Sequence, residues 1–297
     1  MKCKRILALL LAAICLAAAL CSCDIERLFD ENGVEFEADL IVHYLDVGQG
    51  DAIFIELPSG KTMLIDSGEN YHGAGILSYI QERGYNKLDY VVGTHPHADH
   101  IGSMAYIIRN FKIGSVYLPK VSANTKMYEE LLNTIKKKNL TVKNARAGIR
   151  MVRDTENELA VRVIAPLTID KENLNNSSAV IALDYKDATF LFTGDAEKEE
   201  LESIQANVTA DVLKVGHHGS SNANPEDFLK SVNPQIAVIS CGADNDYGHP
   251  HASTLQALRK LDCDVYRTDI DKTVIIYSDG EHLSVETGGK SITKEKS

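Results

Sequence analysis

The chain has 297 residues, 44% of them hydrophobic, enough apolar material to build a large core without covalent staples. Its formal net charge of −11 argues against broad, salt-driven attachment to polyanions over the whole surface. Six Cys are present, but Cys3, Cys15, Cys21 and Cys23 fall at the start, leaving only Cys241 and Cys263 for the body and excluding a disulfide framework.

The chain opens Met1-Lys2-Cys3-Lys4-Arg5 and continues with an apolar run from Ile6 to Leu20. A basic start ahead of a run of that length reads as a secretory signal. Leu20-Cys21-Ser22-Cys23 resembles a bacterial lipobox, which places cleavage before Cys23 and a lipid on its sulfur. An uncleaved anchor helix is the competing reading. Either way the body is expected outside the cytoplasmic membrane, and losing Lys2, Lys4 and Arg5 takes the net charge from −11 to −14. Residues 1–22 are thus expected as a lipoprotein signal and 23–38 as an acidic tether. Residues 39–287 are expected as one folded domain and 288–297 as a polar tail.

From Asp39 short β-rich runs broken by Gly take over. Leu40 to Val47, Ala52 to Leu57 and Thr62 to Ile65 read as consecutive strands, with Pro58-Ser59-Gly60 as a turn. Gly73 to Arg83 is predicted as helix, Leu88 to Val92 as strand, Gly102 to Asn110 as helix and Val116 to Leu118 as strand. Met127, Leu131, Leu132 and Ile135 give Thr125 to Lys138 one apolar helical side. From Lys136 to Arg153 seven basic residues occur with no acid (Lys136, Lys137, Lys138, Lys143, Arg146, Arg150 and Arg153). They suit either a cationic ridge that guides a phosphate backbone or a solvated helix end followed by an edge strand; the second reading is favoured.

Further strands are predicted at Val161 to Ala165, Ala179 to Tyr185, Thr189 to Phe192, Val212 to Val215 and Ile236 to Ile239. Helices are predicted at Glu197 to Gln205, Pro225 to Val232 and Ser253 to Leu261, with closing strands at Val265 to Arg267 and Thr273 to Tyr277. Strands alternating with helices in both halves predict one αββα sandwich. Two central mixed β-sheets lie face to face, flanked by helices.

The chemistry concentrates at strand ends. Thr94-His95-Pro96-His97-Ala98-Asp99-His100 follows an apolar strand, and imidazole with carboxylate is a ligand set for Zn²⁺ or a similar divalent ion. His95 and His97 share one face of an extended segment and suit one ion; Asp99 and His100, past a bend, suit a second. Thr189 to Asp195 reads as a buried strand ending in Gly and an acid, whose two oxygens can serve two cations. Val212 to Ser220 repeats the design with His217-His218, and Tyr247-Gly248-His249-Pro250-His251 adds a Gly/Pro-bounded loop. Seven of the ten His fall in three of these segments, 94–100, 212–220 and 247–251; His43, His72 and His282 read as structural. Asp66 ends a strand and is expected to support the metal loop or form a turn. Gln49, Gly50 and Asp51 form a Gly-flanked turn, lining the cleft or simply closing a hairpin.

The HxHxDH run, a strand-terminal Asp195 and a strand-terminal His217 resemble the metallo-β-lactamase-fold hydrolases. Four further segments narrow the likeness to the C-terminal hydrolase domain of ComEC-type DNA-uptake proteins: Leu45 to Ala52, Asn175-Asn176-Ser177-Ser178, Leu213 to Ser220 and Tyr247 to His251. The resemblance covers roughly residues 39 to 287. It implies one position held by His95 and His97, another by Asp99, His100 and His217, with Asp195 between them. His218 is then left beside the centre or facing substrate, and the 217/218 assignment stays open to reversal. Most two-metal members of the wider fold supply another His before the bridging acid. No His occurs between residues 101 and 194, and Asn175 to Ser178 occupies that stretch. Asn176 and Ser178 are therefore expected beside the centre or against substrate. An amide oxygen is a weak ligand, which predicts a loosely held first ion, with one or two Zn²⁺ bound and Mn²⁺ tolerated.

The implied activity is metal-assisted hydrolysis by a phosphodiesterase or nuclease anchored through its lipid at the cell surface. His218, His249 or His251 is expected to return a proton to the leaving group, with His249 preferred. DNA (single-stranded DNA first) or another nucleic acid is the expected substrate. The competing readings are a small ester (phosphocholine or teichoic-acid ester, lactone or β-lactam) and a non-catalytic metal-binding surface lipoprotein. No protein partner follows from the sequence.

Overall fold

The computed structural model describes residues 28–290 and 292, so Cys23 and the expected signal lie outside the described residues. Strands β1 (Leu28–Phe29) and β2 (Glu35–Phe36) form a short hairpin ahead of the main body. Its Phe36 packs against Ile275 and Tyr277, so the second half of the expected tether is structured. The first large sheet is built from β3 (Leu40–Tyr44), β4 (Ile53–Glu56), β5 (Thr62–Ile65), β6 (Lys87–Val92), β7 (Lys112–Leu118) and β8 (Val142–Asn144). The second takes β9 (Ile149–Asp154), β10 (Leu159–Ala165), β11 (Val180–Tyr185), β12 (Ala188–Phe192), β13 (Val212–Lys214), β14 (Ile236–Ile239) and β15 (Asp264–Arg267). The chain then returns to the first sheet with β16 (Thr273–Ser278) and β17 (Leu283–Gly289). Among the described residues the strand orders are β17-β16-β3-β4-β5-β6-β7-β8 and β15-β14-β13-β12-β11-β10-β9.

Both sheets are covered on both faces, which is why their strands read as unbroken apolar runs. Ile53 and Ile55 turn inward toward Phe190, Phe192, Val212 and Val238 of the opposite sheet, while Phe54 between them turns outward. The outward face is covered by helices α1 (Gly73–Glu82), α3 (Met104–Asn110) and α4 (Lys126–Lys137) through Ile76, Ile80, Ile107, Ile108, Leu131 and Ile135. The very short α2 (Ala98–Ile101) carries part of the metal loop. On the far side α5 (Lys198–Ser203), α6 (Glu226–Val232) and α7 (Ala252–Lys260) set Leu201, Leu229, Val232 and Leu258 against Leu191, Leu213 and Ile239. Each such fully buried aliphatic side chain contributes about 1.5–3 kcal/mol relative to exposure. The architecture is the αββα sandwich.

Several expectations shift at the edges. Strand β17 extends to Gly289, and Ile292 is buried beside Gly75 with its N–H on the Asp46 carbonyl, so the start of the expected polar tail belongs to the body. The basic run is split between the exposed end of α4 and the outermost strands, with Lys143 on β8 and Arg150 and Arg153 on β9. There the cations guard two open sheet edges. Cys241 and Cys263 are buried and free. No described helix is long and apolar enough to cross a membrane.

Strands β5 to β8 run parallel, as do β12 to β15. Their carboxyl ends carry Asp66, the His-rich loop, Asp195, the His pair and the 242–251 loop, the end of a parallel sheet where ligand sites form.

Candidate metal centre

Asp195, leaving β12, is the hub. Its Oδ1 lies 3.2 Å from His100 Nε2, and its Oδ2 lies 3.8, 3.6 and 3.7 Å from Nε2 of His95, His217 and His218. Asp99 Oδ2 stands 3.1 Å from His218 Nε2 and 3.8 Å from His100 Nε2. Donor atoms of Asp99, His100, Asp195 and His218 all fall within 4.8 Å of one another. Two of the enclosed atoms, His100 Nε2 and Asp195 Oδ1, are buried without a hydrogen-bond partner. Unpartnered buried polar atoms of this kind are costly unless something else engages them. A nitrogen and oxygen set facing one point suits a divalent cation, so the residues fit the ion that the fold implies.

Charge tells the same story. Burial by itself lowers the His100 imidazole, but Asp195, Asp99 and Asp66 overcome it and hold the group well above its ordinary value. For Asp195, burial pushes the carboxyl up, and His100 and His218 bring it well below the usual range. Such a cluster demands positive charge, and a cation that supplies it displaces the imidazole protons.

Each imidazole is aimed from behind. Asp66 accepts from Thr94 N–H at 2.8 Å and Thr94 Oγ1–H at 2.6 Å, and its Oδ2 lies 2.8 Å from His100 Nδ1. His218 Nδ1 donates to the Ser240 carbonyl at 2.9 Å and sits 3.4 Å from Asp51 Oδ1. Both rings therefore turn Nε2 into the centre. Asp51 is itself paired with the fully buried Lys214, at 2.9 Å. Burial raises the Asp51 carboxyl, but Lys214 and His218 bring it down to about 2. Gly50 has φ +141, and a Cβ there would strike the Asp99 carbonyl oxygen, so glycine lets the turn close on the metal loop.

The structure reverses the expected roles of the His pair. His218, not His217, faces Asp99 and His100, while His217 is partly exposed, with Nδ1 3.3 Å from Glu197 Oε1. Strand alternation would send adjacent side chains to opposite faces. Here both residues adopt left-handed backbone (φ 46° and 53°), and this bend brings both rings to Asp195. Asn176 is not at the centre either. Its Oδ1 accepts from Glu197 N–H at 3.1 Å and its Nδ2 donates to Glu199. Ser178 Oγ accepts from Asp195 N–H at 3.2 Å, so the Asn-Asn-Ser-Ser turn braces the Asp195 loop.

His249 stands over the His pair, its ring 5.5 Å from that of His217 and 6.3 Å from that of His218, and stacks on exposed Tyr247. Burial, then the neighbouring His218, His217 and His251, lower its imidazole to about 4, so it is neutral at pH 7. A neutral ring accepts a proton sooner than it gives one. His251 turns away: its Nδ1 accepts from Ser221 N–H at 3.0 Å. Gln49 Oε1 accepts from Gly242 N–H at 3.1 Å, tying the first turn to the 242–251 loop.

Residues not foreseen from sequence are Thr94, Lys214, Glu197 and Glu200. A lone charge inside the apolar strand Val212 to Val215 was the readable sign for Lys214. Glu200 is buried beneath the same turn, where Oε2 accepts from Ser178 N–H and Oε1 has no partner; burial raises its carboxyl from 4.5 to about 9. Folded protein then keeps a proton that unfolded chain has lost, so this group makes stability fall as pH rises between 4.5 and 9. Urea midpoints of Glu200→Gln against wild type are expected to lose a slope approaching 1.4 kcal/mol per pH unit in that window (about 1.4 being one proton). Parallel pH profiles for the two proteins would contradict the assignment.

Residues 45–243 match the family model described as the Metallo-beta-lactamase superfamily. The chain is 31% identical over 261 residues to "ComE operon protein 3" of Bacillus subtilis (strain 168), covering 81% of this chain and 33% of that protein. It is 31% identical over 242 residues to "Recombination protein 2" of Haemophilus influenzae, covering 79% and 28%. Both are ComEC-type competence proteins, and the chain spans about a third of their length. In fold it is similar to CmlA, a diiron beta-hydroxylase from Streptomyces venezuelae, with TM-score 0.55, 14% identity, and coverage of 82% of this chain and 55% of that one. With its sandwich, its strand-end donors and this match across most of its length, the chain belongs to the metallo-beta-lactamase superfamily of metal-dependent hydrolases.

Proposed function

We propose that the protein is a divalent-metal-dependent phosphodiesterase that acts on nucleic acid, single-stranded DNA in the first instance, outside the cytoplasmic membrane. The observation that carries the reading is the donor set of half-buried Asp99 and buried His100, Asp195 and His218, in a chain similar to competence proteins. Asp99, His100, Asp195 and His218 would hold a Zn²⁺ or Mn²⁺, which would supply Lewis-acid chemistry for activating water and neutralising phosphate charge. The protein's own part is placement. Asp66 and the Ser240 carbonyl fix the His100 and His218 rings, and Asp51 with Lys214 backs His218. His249, above the pair, is placed to take up or pass on a proton at its ring nitrogens, and Tyr247 offers an exposed ring beside it.

A smaller substrate is the second reading, favoured by the acidic surface: Asp244 and Asp246 are exposed on the loop that carries Tyr247. Purified protein with Mn²⁺ or Zn²⁺ is expected to cleave single-stranded DNA and bis-p-nitrophenyl phosphate, and to spare a chromogenic β-lactam. Turnover of the small diester or of p-nitrophenyl-phosphorylcholine without any DNA cleavage would transfer the assignment to small esters. No turnover on any of them would leave a metal-binding lipoprotein.

Anchoring belongs to the same proposal. Lipid on Cys23 after cleavage of residues 1–22 would tether the domain at the cell surface through an N-terminal acyl chain. Intact-mass analysis of membrane-extracted protein is expected to give an acylated Cys23 at the N-terminus; a retained Met1 or bare Cys23 contradicts it.

A further inference from the structure

We infer that the mouth of the centre recognises its substrate as one nucleoside beside one phosphate, with the base stacked on Tyr247, and not as a length of polyanionic strand. The inference rests on the phosphodiesterase reading and concerns which part of a diester is gripped.

The first feature that carries it is charge. The loops that gather at the centre, residues 45–52, 66–82, 93–108, 193–197, 215–229 and 240–258, contain no Lys or Arg. The lysine after the Asp195 loop, Lys198, lies 3.7 Å from Glu202, and the one before the His pair, Lys214, is buried against Asp51. Asp244 and Asp246 stand exposed on either side of Asn245. A strand gripped through its phosphates needs Lys and Arg along its path, and a second phosphate on this side would meet carboxylates instead. Phosphate recognition is thereby confined to the donor cluster, and the rest of the substrate is left to an uncharged contact.

The second feature is an aromatic face that supplies such a contact. Tyr247 is 67% exposed, the most open Tyr or Phe among the described residues. Its ring stacks on His249 at 5.6 Å and 20°, and His249 stands 5.5 and 6.3 Å from the rings of His217 and His218. Rings thus step from solvent down to the metal donors. The turn that presents Tyr247 is braced by one side chain. Asn245 Oδ1 accepts from the N–H of Tyr247 at 3.2 Å and of His249 at 3.0 Å, and its Nδ2 donates to the carbonyls of Gly242 and His249 at 2.9 and 2.6 Å. The same loop is seated directly on the His pair, where a Cβ on Gly219 would strike Pro250. A braced ring with its outer face open is a stacking platform, and it takes any base because every base has a π-face. A neutral base, unlike a phosphate, meets no repulsion from Asp244 and Asp246.

The test compares dithymidine phosphodiester with its analogue lacking both bases, each cleaved by full-length protein with Mn²⁺ or Zn²⁺ and followed by mass spectrometry. Wild type is expected to favour the base-bearing diester by about 5- to 150-fold in kcat/KM, the worth of one stacked base, with the difference mainly in KM. Tyr247→Ala is expected to bring that ratio toward one, and Tyr247→Phe, which keeps the ring, to preserve it. Thermal melts of both variants separate lost stacking from lost folding. For a longer oligo-dT strand, log KM is expected to rise with log salt at a slope of about 0.7, that of a single phosphate. Equal turnover of the two diesters by wild type, an unchanged ratio in Tyr247→Ala, or a slope worth several phosphates overturns the inference and leaves the phosphodiesterase reading intact. Cleavage of oligo-dT without cleavage of the dinucleotide does the same. No turnover of any of the three overturns both.

Discussion

Asp195→Ala is expected to abolish hydrolysis of a phosphodiester, a drop of roughly 10³-fold or more, beyond the 10- to 100-fold typical of a residue that only orients a ligand. Its two oxygens face His100 on one side and His95, His217 and His218 on the other, so no other side chain can take over both tasks. Loss of the carboxylate also leaves the imidazoles repelling one another around an empty point, so metal content measured on the purified variant should fall with activity. Asp66→Ala is the informative contrast. It loses the hydrogen bond to His100 and the anchor for Thr94 but keeps every donor, and should fall in the smaller range. An Asp195→Ala protein with wild-type turnover would remove the centre from the reaction altogether.

The second large effect is on stability. Lys214 and Asp51 are fully buried and paired at 2.9 Å, with the Lys214 ammonium also donating to the Val215 carbonyl. Lys214→Met keeps the volume and strands the Asp51 charge, which should cost about 3–5 kcal/mol of unfolding free energy. Removing both charges with Lys214→Met and Asp51→Leu should recover part of that loss, because the pair's desolvation disappears with it. The pH dependence has a definite sign. Asp51 is depressed from 3.8 to about 2 in the folded protein, so its contribution is complete above 3.8 and disappears as pH falls through 2. Without Lys214 the carboxyl rises with burial, and the deficit of the single variant should shrink as the pH is lowered and Asp51 protonates. Urea unfolding at pH 7 and pH 5 measures both points. A deficit under about 1 kcal/mol at pH 7 would mean the pair is replaced by water.

The two readings of the basic stretch show how far pattern carries. Seven cations without an acid are a plain signal, but whether they flank a cleft or an edge depends on which strands end the sheets. The structure makes β8 and β9 the outermost strands and places Lys143, Arg150 and Arg153 on them, while Lys136 to Lys138 end α4. The 28–36 hairpin and the burial of Ile292 were also hidden, because each rests on a few apolar residues meeting partners far along the chain.

What the sequence determined by itself was the local part of the design. Unbroken apolar runs mark strands covered on both faces, and a His-Asp cluster after such a run announces metal chemistry, since both signals lie in neighbouring residues. Tertiary structure decided which nitrogen meets which oxygen. Left-handed backbone at His217 and His218 turns both rings toward Asp195, so that His218 faces His100 where the resemblance implied His217, and Asn176 spends its amide on Glu197. Lys214 acquires its meaning only from Asp51, in the turn between β3 and β4 of the other half. Aim and charge balance depend on groups brought together from both sheets, and spacing along a chain carries no record of direction.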